Sequence, residues 1–90
     1  MSDTMARIDT ALAPLDASHI NIQDDSALHA GHAGNTGGGH YTLTIVSERF
    51  DSLSLLKRHR LVYEAVSTLM QADIHALSIK AFTPKEYHAR

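Results

Sequence analysis

Three apolar periods follow one another in the second half of the chain, and they constrain the fold more tightly than composition does. Tyr41, Leu43 and Ile45 alternate with Thr42, Thr44 and Val46. That period of two, rich in β-branched residues, predicts a strand. Leu55 or Leu56, His59, Val62, Val66 and Leu69 or Met70 then recur in steps of three and four. This predicts the longest amphipathic helix of the chain, with Lys57, Arg60, Glu64 and Gln71 mostly on its wet side. Ile74 to Phe82 reads as strand again, with His75, Leu77, Ile79 and Ala81 sharing one face. Strand, helix and strand in succession permit the two strands to pair in parallel, through a crossover that is right-handed.

The flanks complete the pattern. Thr83-Pro84-Lys85-Glu86 is a capping box with proline at the first helical position, and Phe82 and Tyr87 stand where a hydrophobic staple closes it. A short last helix follows. At the other end, Met5, Ile8 and Leu12 fall at helical spacing between a cap at Asp3 or Thr4 and a stop at Pro14. His19 to Gln23 alternates and reads as a first strand. The order is α-β-β-α-β-α. It describes one α+β domain over residues 1–90, with a three-stranded mixed sheet backed by helices.

Composition narrows the chemistry. Ninety residues hold one small domain. There is no cysteine, so the chain itself supplies no disulfide, thiolate nucleophile or thiolate ligand. A net charge of −2 argues against nucleic acid as the main partner, because phosphate binding rests on lysine and arginine. No apolar run reaches the ~18 residues of a membrane span. MSDTMARIDTALAPL lacks the unbroken apolar core of a signal peptide, so the expected location is cytoplasmic and no membrane partner is expected.

The segment LHAGHAGNTGGGHY, Leu28 to Tyr41, carries three histidines and five glycines in fourteen residues. A phosphate-binding loop needs a lysine after its glycines and then a helix; here His40 and Tyr41 follow and a strand begins. Gly31-His32-Ala33-Gly34 spells the GxxG of RNA-binding KH domains, but between two strands instead of two helices. The histidines allow two readings. His29-x-x-His32 puts two imidazoles within reach of one ion, and His40 and His75 could raise the number to four. Otherwise the segment is a polar connection whose glycines permit the turn.

Lys57-Arg58-His59-Arg60 likewise reads as a solvated helix face or as an anion or partner contact through Arg58, His59 and Arg60. No Ser/His/Asp set and no paired carboxylates suggest catalysis, so no enzyme is expected.

The segments LHAGHAGNTGGGHYTLTIVSERF, SLLKRHRLVYEAVSTLM and IHALSIKAFTPKEY, within roughly Asp24 to Tyr87, resemble the BolA family. The resemblance implies an α-β-β-α-β-α fold similar to class II KH domains. It also implies a monothiol glutaredoxin with a Cys-Gly-Phe-Ser motif as partner, and a bridging 2Fe-2S cluster completed by glutathione. The cluster is not expected to be held stably by this chain alone. By the same resemblance one ligand comes from the segment between the first two strands, here His29 or His32, and another is His75. Relatives with this segment often open it with Ser-His-x-His, whereas here it runs Ser26-Ala27-Leu28-His29, so Ala27 cannot serve. The alternative function is a DNA-binding transcription regulator using the KH-like surface. A mononuclear zinc or copper site on His29, His32 and His75 is also chemically allowed. Alone, the chain is expected to be a monomer or weak homodimer.

Overall fold

The computed structural model describes residues 3–25, 39–70 and 74–89. Helix α1 (Asp3–Ala11) runs into a 3-10 turn (Ala13–Leu15), then β1 (His19–Asp24) and β2 (Gly39–Val46). A second 3-10 turn (Glu48–Phe50) leads to α2 (Leu55–Ala65), α3 (Ser67–Met70), β3 (Ile74–Phe82) and α4 (Pro84–His88). The sheet order is β1-β2-β3, so β2 is central. It pairs antiparallel with β1 and parallel with β3. This is the α+β arrangement expected from the element order.

The alternation along β2 sorts its side chains. Tyr41, Leu43 and Ile45 are buried, while Thr42 and Thr44 are half-buried on the opposite face. Ile8 of α1, Leu12 just after it, Leu15, Phe50, Val62, Val66, Leu77 and Ala81 join the buried face as one cluster. Each such aliphatic or aromatic side chain contributes roughly 1.5–3 kcal/mol on burial. Ser47 is fully buried where β2 ends. Its hydroxyl donates to the Leu15 carbonyl at 2.6 Å and accepts from the Arg49 amide at 3.1 Å, which ties the two 3-10 turns together.

Among the described residues, the other sheet face meets α4 at one end. The capping box forms as expected, with Glu86 N–H donating to Thr83 Oγ1 and Thr83 N–H donating to the Glu86 carboxylate. Tyr87 then stacks on His19 (centroids 5.3 Å) and meets Phe82 at 5.8 Å. Val46, between His19 and Phe82 in the register, is buried there outside the main cluster.

Two expectations about the long helix are corrected. It is two helices, because the chain leaves helical geometry at Val66 (φ −106°, ψ 17°) before α3 begins. Its buried stripe also begins at Arg58 and not at Leu55 or Leu56. Leu55 and Leu56 are 65 % and 61 % exposed, His59 is half-buried, and Arg58 is inside at 7 %. Arg58 is admitted because its guanidinium is fully engaged, as described below.

Candidate functional site

The site begins with an irregularity in β3. Gly39 pairs with Ile74, but His40 pairs with Ala76, so His75 is an extra residue opposite no partner. Such a bulge reverses the facing of whatever precedes it. Ile74 is therefore buried at 2 % exposure, whereas His75 and Ala76 are exposed and Leu77 is buried again. The sequence pattern set His75 on the face of Leu77, Ile79 and Ala81. The bulge removes it from that face and presents its imidazole at the sheet edge.

Across the ladder, His40 follows Gly39 on β2, and its side chain lies with Thr42 and Thr44, away from the core. The His40 and His75 rings come together with centroids 5.0 Å apart and planes inclined at 46°. Two imidazoles on one tetrahedral ion, with metal–nitrogen bonds of ~2.0–2.1 Å, have ring centres about 5 Å apart. The observed centroid spacing is of that length. Among the described residues no group of three or more His, Cys, Asp or Glu side chains comes together around one point. The described residues bring together a pair of imidazoles and no larger set.

Asp25 fixes the β1 side of the site. Its N–H donates to the His40 carbonyl at 2.7 Å. Its carboxylate accepts from Thr42 Oγ1 at 2.5 Å and from Gln23 Nε2 at 2.7 Å. Both oxygens are used in holding the end of the hairpin. His29 and His32, the segment ligands expected from sequence, lie outside the described residues. His40 counted among four candidate imidazoles in the sequence but not among the chosen ligands. The signal that singles it out is its place in the register opposite the bulge, which no local pattern displays.

The second expected spot divides. Arg58 Nη1 and Nη2 donate to Glu86 Oε1 and Oε2 at 2.6 and 3.0 Å. Arg58 Nε donates to the Leu53 carbonyl at 3.0 Å, and Nη1 also reaches the Ala81 carbonyl at 3.2 Å. Hydrogen bonding to Arg58, and then to the Thr83 amide, lowers the Glu86 carboxyl to about 2. The Arg58 pKa is raised by the same bond. Arg58 thus joins α2, β3 and α4, and leaves exposed Lys57 and Arg60 and half-buried His59 facing outward from α2.

A family model described as BolA-like protein matches residues 11–86. The chain is 44 % identical over 78 residues to SufE-like protein 1, chloroplastic/mitochondrial, of Arabidopsis thaliana, covering 80 % of this chain and 21 % of that protein. The solved BolA domain of SufE1 from the same plant superposes with a TM-score of 0.82 at 41 % identity, covering 96 % of this chain and 98 % of that one. The chain is also 32 % identical over 71 residues to the DNA-binding transcriptional regulator BolA of Haemophilus influenzae, covering 79 % and 67 %. It spans between 21 % and 56 % of the length of three of the curated relatives it matches.

Proposed function

The chain belongs to the BolA-like family, and from that premise we propose that it is a non-enzymatic adaptor that shares a 2Fe-2S cluster with a monothiol glutaredoxin. The observation that carries the reading is the bulge that turns His75 out beside His40. Ligand arithmetic supports it. A 2Fe-2S cluster takes four ligands, usually thiolates, and this chain has no cysteine. It contributes imidazole, and the thiolates come from the glutaredoxin cysteine and from glutathione. His75 is one ligand. The second is the one of His29, His32 and His40 that reaches the cargo. Histidine in place of thiolate lessens the negative charge on the cluster and raises its potential. It also makes holding the cargo proton-sensitive, because a protonated imidazole cannot bind iron.

The regulator reading has a relative's name behind it but less surface. Counterion release needs several free cations, and the engagement of Arg58 by Glu86 takes one away from a segment that had three.

The test is to mix the protein with a cluster-loaded Cys-Gly-Phe-Ser glutaredoxin and glutathione, following gel filtration and visible absorption together. The isolated protein should be colourless and the mixture should give a coloured heterodimer. His75→Ala should change the visible spectrum and shorten the cluster's survival. Separate His29→Ala, His32→Ala and His40→Ala variants identify the second ligand by the same two signs. A heterodimer whose spectrum and lifetime ignore His75→Ala overturns the reading. Steeply salt-dependent DNA binding by the protein alone would favour the regulator.

A further inference from the structure

β3 is an edge strand, paired on one side only. Its outer edge presents backbone groups without ladder partners. Two of its carbonyls are nevertheless taken, both by side chains of α2. Arg58 holds Ala81 near the end where α4 begins. Tyr63 Oη donates to the Leu77 carbonyl at 3.1 Å, two residues beyond His75. The Arg58 contact is part of its two-pronged pair with Glu86. Tyr63 has no such reason to be there. It is 39 % exposed and belongs neither to the core nor to the partly buried residues packed against it.

We propose that Tyr63 is a positioning residue for His75. A bulge leaves its extra residue without ladder bonds, so its direction is set by its flanks. Before His75 the flank is Ile74, whose side chain is seated in the core opposite Gly39. After it, Ala76 rejoins the ladder opposite His40 with its side chain exposed, and the next buried side chain is Leu77. The Leu77 side chain is buried and its carbonyl is held from the outer edge by Tyr63. With that bond in place the Leu77 peptide cannot turn about the strand axis, and the His75 ring keeps its place beside His40. The same bond, with that of Arg58, occupies the edge carbonyls on either side of Ile79.

This inference rests on the reading of His75 as a ligand, and the test separates the two. Tyr63→Phe keeps the ring and removes only the hydroxyl. In the full chain without cluster, amide exchange around His75 to Ser78 should rise about tenfold, the scale of one lost hydrogen bond. Exchange at the Arg58-held Ala81 end serves as the internal control and should stay as in wild type. The His75 ring signals should shift and the nuclear Overhauser contact between the two imidazoles should weaken. With loaded glutaredoxin, the cluster's lifetime should shorten in the direction of His75→Ala. Unchanged exchange and ring signals at His75 overturn the proposal, as does a uniform rise across all three strands, which would mean general loosening. If the ring signals move while His75→Ala leaves the cluster untouched, Tyr63 still places His75 and the ligand reading alone has failed.

Discussion

Arg58 and Glu86, 28 residues apart in sequence, meet in a two-pronged pair in which each guanidinium Nη faces one carboxylate oxygen. Because the pair holds the Glu86 carboxyl at about 2, against an ordinary value near 4.5, the folded state resists protonation there. The unfolded chain binds that proton first as pH falls. Stability from this source is therefore complete above about pH 4.5 and is lost between there and about pH 2. Glu86→Gln should lower the melting temperature at pH 7 and flatten its fall between pH 5 and pH 2. Melting curves of both proteins across that range check it; parallel slopes would show that the pair contributes no such linkage.

The neighbouring arginines should behave differently. Arg58→Ala leaves the Leu53 and Ala81 carbonyls without their donor and Glu86 without its partner, a loss of about 3 kcal/mol in denaturant unfolding. Arg58→Lys should recover only part of it, since an ammonium cannot reproduce the fork. Exposed Arg60→Ala should stay within about 0.5 kcal/mol of wild type. Weaker partner binding by Arg58→Ala alone would then report on the fold, whereas weaker binding by Arg60→Ala would report on contact.

Ser47 is the polar group most deeply enclosed between the two 3-10 turns. Ser47→Ala removes the donor to the Leu15 carbonyl and the cap at Arg49 together, and should cost about 2 kcal/mol by chemical unfolding. A cost near zero would mean that water reaches the Leu15 carbonyl.

Local signals made most of the fold legible, and the exceptions share one cause. The capping box at Thr83 to Glu86 and the alternation at Tyr41 to Val46 depend on neighbours a few residues away, and both formed as the pattern required. Arg58 is buried because a carboxylate arrives from α4, and a helical period cannot register a partner so distant. His75 left the face its parity assigned because β2 and β3 lose step between Gly39 and His40. Bulges belong to the pairing of two strands, so neither strand alone announces one. The nearness of His40 to His75 is likewise a property of the ladder, which neither strand shows alone.

Gly39 should prove intolerant of a side chain. A Cβ there would lie 2.6 Å from Cζ of the Tyr41 ring, which is buried and cannot swing away. Gly39→Ala should destabilise by about 2 kcal/mol through overpacking. Tyr41→Leu combined with Gly39→Ala should cost less than the two changes summed, because the first vacates the space the second needs. Additive costs in the double-mutant cycle would place the strain elsewhere.

The bulge itself has a test that needs no cluster. In an unbroken ladder His75 would face the core with Leu77, and Ile74 would face outward. With the bulge the roles are exchanged, and Ile74 is the buried member. Ile74→Ala should therefore cost about 3 kcal/mol, the usual scale for truncating a buried aliphatic side chain. His75→Ala removes an exposed ring that packs against another imidazole, and should stay within about 0.5 kcal/mol of wild type. Equilibrium unfolding in urea gives both values on the same footing. If His75→Ala costs several kcal/mol and Ile74→Ala almost nothing, the strand pairs without its extra residue, His75 belongs to the core, and it is not presented to a partner.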